Sequence, residues 1–259
     1  MDNSKLTRRD FCGTTLTGLA ASGLAKASPF SSGKKNSKSS KPNILMIVID
    51  DLNDWVGYLN GHPQVKTPNI DKLAQQGVAF TNCQASAPMC LPSRASFMSG
   101  LNVASHGVYT NQDNIKKAKR YQNAVKLNEH FSNHGYITMQ AGKIYHHKSD
   151  SGNKWDKSGG GYSWDRHPVI GESPHGKKFP SDMALSDMPG ARPGLFDWGP
   201  VDMKDEEMGD YHTAKWAQQQ LVEKYENPFF MAVGFKWPHQ PWYAQKKYFD
   251  MLPSTDKIK

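Results

Sequence analysis

Residues Asn43 to Ile49 (Asn-Ile-Leu-Met-Ile-Val-Ile) form an unbroken apolar run rich in β-branched side chains. A strand with one wet face alternates apolar and polar residues. This run does not, so it predicts a strand buried in a parallel sheet. It ends abruptly in Asp50-Asp51. A second run of the same kind spans Pro228 to Phe235, and a shorter strand is expected at Tyr136 to Gln140 and another at Val78 to Thr81.

Helical patterns lie between these runs. Thr67-Pro68 opens one, with Ile70, Leu73 and Ala74 on one face and Gly77 as its stop. Pro92 to Met98, Val125 to Asn133 and Glu206 to Tyr225 are further candidates. Strands alternating with helices predict an α/β fold: a mostly parallel central sheet with helices on both faces. In such sheets the ligand site lies beyond the carboxyl ends of the strands. Lys148 to Pro200 has weak periodicity and much Gly, Pro, Ser, Trp and Asp. It reads as a long loop insertion over that site.

The amino terminus has a different character. Thr7-Arg8-Arg9-Asp10-Phe11 is a twin-arginine motif, followed by an apolar stretch to Ala25 and an Ala25-Lys26-Ala27 cleavage pattern. Residues 1–27 are therefore expected to be an export signal and 28–41 a Ser/Lys-rich linker, with the protein periplasmic or secreted. Residues 1–41 carry +6 of the net charge of +8. The basic excess belongs to the leader and linker, so nucleic acid is not an expected partner. No apolar run reaches the length of a membrane span, so no integral membrane segment is expected after processing. Of three cysteines, Cys12 falls in the leader, leaving Cys83 and Cys90, too few for a disulfide framework.

Two features carry chemistry. Adjacent carboxylates at Asp50 and Asp51 repel, and a hard divalent cation with oxygen ligands relieves that repulsion. A strand-end turn is the alternative reading of the same pair. Cys90-Leu91-Pro92-Ser93-Arg94 places a thiol at a helix start, where free N–H groups favour an anion, and an arginine one turn later. Local physics leaves a packed thiol and a reactive one equally open.

Cys-x-Pro-Ser-Arg followed by Ser99-Gly100 resembles the signature of the type I sulfatases, of the alkaline-phosphatase-like superfamily. Pro42 to Asp51 resembles that family's opening strand and metal-binding aspartates, and Thr67 to Ala74 a further family segment. The resemblance covers residues 41–147 and 227–249, and its details are most similar to the iduronate-2-sulfatase branch. Gly142-Lys143-Ile144-Tyr145-His146 resembles the family's Gly-Lys-x-x-His, and Trp237-Pro238-His239-Gln240-Pro241 the segment supplying a substrate-facing histidine. His147 is an alternative to His146.

The resemblance implies a sulfuric ester hydrolase acting on a sulfated small molecule, sugar or polysaccharide. Cys90 would be converted to formylglycine by a maturation enzyme before twin-arginine export, and Asp50, Asp51 and residue 90 would hold a divalent metal, most suitably calcium. Arg94 and Lys143 would hold the sulfate, His239 would protonate the leaving alcohol, and His146 would assist release of sulfate from the second hydroxyl. The family's catalytic domain is longer, so residues 42–259 are expected to be its amino-terminal part, with the remaining metal ligands beyond Lys259. A phosphoester or phosphonate hydrolase of the same superfamily, or an inactive fragment, are the alternative expectations.

Overall fold

The computed structural model describes residues 41–146, 164 and 196–258. The expected leader, almost all of the linker, His147 and most of the expected insertion lie outside the described residues. The elements are β1 (Ile44–Ile49), α1 (Pro68–Gln76), α2 (Cys90–Ser99), α3 (Val103–His106), α4 (Lys119–Asn123), α5 (Leu127–Asn133), β2 (Ile137–Gly142), β3 (Trp198–Val201), α6 (Gly209–Val222), β4 (Phe229–Phe235), β5 (Trp242–Gln245) and α7 (Lys246–Phe249).

β1, β4 and β2 form a parallel sheet in that order, in register at Ile44 with Phe230 and at Ile137 with Phe229. Helices cover both faces. On one, Leu91, Ala95 and Met98 of α2 pack with Phe230 and Ala232 of β4, joined by Leu127 and Phe131 of α5. Phe131 stacks on Phe230 with ring centroids 4.4 Å apart. On the other, Ala217 and Trp216 of α6 cover Met139 of β2 and Met231 and Val233 of β4. Each fully buried Phe, Leu or Met contributes about 1.5–3 kcal/mol by leaving water. These contacts fix where the strand ends sit, and so where the site sits. The α/β architecture is the one the sequence predicts.

The strand reading holds in part. β4 is central and buried along nearly its whole length. β1 has the same apolar composition but lies at an edge. Its Ile44, Met46 and Val48 face the α2 side, while Leu45 and Ile47 on the opposite face are 43% and 50% exposed.

Three expectations are corrected. Val78 to Thr81 forms no strand, and Val78 and Phe80 are 82% and 75% exposed. Its composition suits a strand, but no neighbouring strand among the described residues takes up its backbone groups. Thr67 sits at the N-cap of α1, but its side chain makes no bond to the helix N–H groups. Its hydroxyl instead accepts from the Gly57 N–H (2.7 Å) and donates to Asp71 Oδ1 (3.0 Å), tying the preceding loop to the helix. The end of the expected insertion is ordered, since Trp198–Val201 pairs in parallel with Trp242–Gln245 as a second, two-stranded sheet.

Candidate active site at the carboxyl end of the sheet

Each of the three parallel strands delivers a polar group just past its last residue. Asp50 follows β1, and its N–H donates to the Phe235 carbonyl of β4 (3.1 Å). Lys143 follows β2, and the segment Lys236 to His239 follows β4. The β2–β4 end is closed by two glycines in register. Gly142 has φ +69°, and a Cβ there would lie 2.0 Å from the Gly234 carbonyl oxygen. Only glycine permits both the left-handed turn and the close approach. The Lys143 N–H then donates to the Gly234 carbonyl (2.8 Å), which sets the start of the turn carrying the ammonium.

Cys90 is the first residue of α2, two residues earlier than the sequence-predicted helix. The helix start is held from outside: the Leu91 N–H donates to Asn111 Oδ1 (2.8 Å). Two turns along, the helix is locked to α3. His106 Nδ1 accepts from the Val108 N–H (3.0 Å), so its Nε2–H donates to Ser96 Oγ (2.9 Å), whose own proton goes to the Pro92 carbonyl (3.0 Å). Burial pushes the His106 pKa down, which keeps the ring neutral in this role.

Asp50 is the hub. It is 5% exposed. Arg94 Nη2 donates to its Oδ1 (2.7 Å), and Lys143 Nζ to its Oδ2. Arg94, also buried, donates through Nη1 to the Lys143 carbonyl (2.5 Å) and the Ile144 carbonyl (2.8 Å). Burial alone would push the Asp50 pKa up. The hydrogen bonds and charges of Arg94 and Lys143 outweigh it and hold the carboxyl below its ordinary value. Asp50 is therefore an anion at neutral pH, although it is nearly enclosed.

Cys90 Sγ lies 4.0 Å from Asp50 Oδ2 and 3.9 Å from Lys143 Nζ. Burial raises its pKa, and Asp50 and Asp51 add to the effect, against the lowering by Lys143 and Arg94. The unmodified thiol is held protonated, which makes it a poor nucleophile.

His239 Nε2 lies 4.0 Å from Asp50 Oδ2 and 3.9 Å from Asp51 Oδ2. Its Nδ1 is 2.5 Å from the Gln240 carbonyl, so Nδ1 carries a proton and Nε2 is left to gain or release one. The flanking Trp237-Pro238 and Gln240-Pro241 bonds are cis. Asp51 has φ +58°, in the left-handed region that Asp tolerates better than most residues, and its side chain is half exposed. Asp50, Cys90 and His239 place donor atoms within 4.8 Å of one another, the one such grouping among the described residues. His146 is half-buried and does not belong to it, and His147 lies outside the described residues.

The paired carboxylates suit a hard cation, although calcium takes six to eight oxygens and Asp50 and Asp51 supply few of them. Arg94 Nε is buried with no hydrogen-bond partner among the described residues, a donor left unsatisfied here.

Asp210 has no counterpart in the sequence reading. It lies in the first turn of α6, where an acidic residue reads as ordinary helix-end charge. Its carboxylate accepts from the Lys236 N–H (2.9 and 3.0 Å) and the Trp237 N–H (3.0 Å), pinning the backbone that leads to His239. Burial raises its pKa against these bonds.

The sulfatase family profile matches residues 42–255, well over half of the chain. The chain belongs to the sulfatase family. It is 34% identical over 222 residues to a sulfatase of Formosa agariphila, covering 82% of this chain and 42% of that protein. It is 31% identical to human iduronate 2-sulfatase, covering 84% of this chain and 39% of the relative. The chain thus spans less than half the length of these curated relatives. Among solved structures, the phosphonate monoester hydrolase of Agrobacterium radiobacter shares the fold, with a TM-score of 0.57 and 22% identity over 83% of this chain and 45% of the other. Asp50, Cys90, Arg94, Lys143 and His239, far apart in sequence, lie together in the structure.

Proposed function

We propose that this chain supplies the nucleophile and sulfate-binding half of a sulfate ester hydrolase acting on a sulfated sugar, with residue 90 working as formylglycine. The observation that carries this reading is the convergence of Cys90, Arg94 and Lys143 on one buried carboxylate at the strand ends, in a member of the sulfatase family. The relative named for iduronate supports a sugar as the ester's alcohol. The thiol's raised pKa supports modification, because an unmodified thiol in this place is protonated.

The chemistry can be divided among the residues. Formylglycine, when hydrated, offers one hydroxyl to attack sulfur and a second through which the sulfate is released. A divalent cation at Asp50 and Asp51, calcium by donor type, would supply positive charge for the sulfate oxygens and lower the proton affinity of the attacking hydroxyl. Arg94 with its guanidinium and Lys143 with its ammonium would neutralise charge developing on the sulfate. His239 holds a proton at Nε2 for the departing alcohol, with Nδ1 fixed on the Gln240 carbonyl. His146 is the proposed base for the second hydroxyl. Residues 1–27 are proposed as a twin-arginine export signal, with modification preceding export to the periplasm or beyond.

The test is hydrolysis of an aryl sulfate against an aryl phosphate, by the chain produced with a formylglycine-generating enzyme and assayed with calcium. Preference for the sulfate is expected. Preference for the phosphate would replace this reading with a phosphoester or phosphonate hydrolase.

A further inference from the structure

The two-stranded sheet of β3 and β5 has one inward and one outward face. Gly199, Val201, Tyr243 and Gln245 are buried, while Trp198, Pro200 and Trp242 are exposed. The inward side is braced. The Tyr243 hydroxyl donates to Asp197 Oδ2 (2.6 Å), both residues being fully enclosed, and the Trp242 N–H donates to the Asp197 carbonyl (2.9 Å). The outward side therefore has a fixed backbone beneath it.

On that outward side Trp198 and Trp242 lie in register across the two strands, with Phe196 beside them. Ring centroids are 6.5 Å apart for Trp198–Trp242, 5.7 Å for Phe196–Trp242 and 6.1 Å for Phe196–Trp198. The interplanar angles are 49°, 68° and 82°, so no pair is stacked face to face. All three residues are between 37% and 43% exposed. The three rings pack tilted or edge to face, as aromatic pairs favour, and each residue still stays more than a third exposed. An aliphatic patch suits any apolar partner. Planar, rigid, amphipathic rings on a braced backbone suit a ligand that is itself flat, with apolar C–H faces and a polar rim, as a pyranose ring is. The patch lies near the candidate site, since Trp242 is three residues past His239 and the chain between them spans at most about 11 Å.

We propose that Trp198, Trp242 and Phe196 form a saccharide platform that holds the sugar unit next to the one bearing the sulfate. Its placement beside the scissile ester rests on the sulfatase reading, whereas its affinity for a sugar ring does not.

The chain is titrated with a sulfated galactan hexasaccharide and with its desulfated counterpart, following tryptophan emission and heat of binding. Both are expected to bind and to change the emission. Trp242→Ala and Trp198→Ala should each weaken both by about tenfold, the worth of one good ring contact. Trp242→Phe should keep most of the affinity, whereas Trp242→Leu, which keeps bulk but has no ring face, should lose it and carries the test should the alanine variants fail to fold by near-UV circular dichroism. Absence of binding by the folded parent chain overturns the platform, and so does unchanged affinity in the alanine or leucine variants. Self-association lost on Trp242→Ala would give this face to a second copy, also against the proposal. Binding of the desulfated sugar without aryl sulfate turnover would leave the platform standing and remove the sulfatase reading.

Discussion

Asp50→Asn separates the charge at the hub from its shape. The amide is nearly isosteric, and its oxygen can still accept from Arg94. Its NH2 group would then meet the Lys143 ammonium donor to donor. The Lys143 bond is lost, worth about 1.5–3 kcal/mol, and the Arg94 bond survives with a charged donor but a weaker, neutral acceptor. Arg94 also stays buried beside no anion, a change that costs about 3–5 kcal/mol when a pair is broken outright. Its two surviving bonds to the Lys143 and Ile144 carbonyls moderate that cost. The expected loss is about 3 kcal/mol, or a fall in Tm of about 6–12 °C for a domain of this size. The pH dependence sharpens the test. The folded pKa of Asp50 lies below its ordinary value of 3.8. Its stabilisation is thus complete above that value and is lost as pH falls through the folded pKa. Thermal melts of parent and variant should differ fully at pH 5–7 and converge as the pH drops well below 4. A fall under 2 °C at pH 7, or a gap unchanged in strong acid, would refute the hub.

Further outcomes follow from single contacts. Gly142→Ala forces a Cβ onto the Gly234 carbonyl at positive φ and should cost at least about 2 kcal/mol in urea unfolding; an unchanged midpoint would contradict the close approach. Asp210→Ala leaves two backbone donors without their acceptor and should destabilise by about 2 kcal/mol while shifting the His239 ring resonances, with Asp210→Asn milder on both counts; stability lost with His239 unmoved would deny it a positioning role. At pH 7 iodoacetamide should label exposed Cys83 well before Cys90, whose rate should climb only above the usual thiol range; faster labelling of Cys90 would show an activated thiol.

The parts of this fold legible in sequence are those governed by local pattern. β4 reads as a buried strand because its apolar run is long and its neighbours are turn formers. Asp50, Cys90, Arg94, Lys143 and His239 can be singled out in sequence because they fall in contiguous blocks that resemble sulfatase segments, and the structure gathers them around one carboxylate. What escaped depends on long-range partners. Val78 to Thr81 has strand composition, but no strand among the described residues pairs with it. Asp210 is an ordinary helix-end acid until β4 brings the Lys236 and Trp237 N–H groups to it from 26 residues away. Trp198 and Trp242 reveal a shared face only once β3 and β5 pair. Cys90 shows both sides: its place at the helix start is readable, whereas the raised pKa that keeps it protonated follows from enclosure and from Asp50, forty residues distant.

The central claim is that residue 90 works as formylglycine. Mass spectrometry of the peptide carrying residue 90, from chain produced with a formylglycine-generating enzyme, tests it directly. The aldehyde is expected, with aryl sulfate turnover that rises with its occupancy and vanishes in Cys90→Ala. An unmodified thiol throughout, in a preparation that turns over the ester, would contradict it.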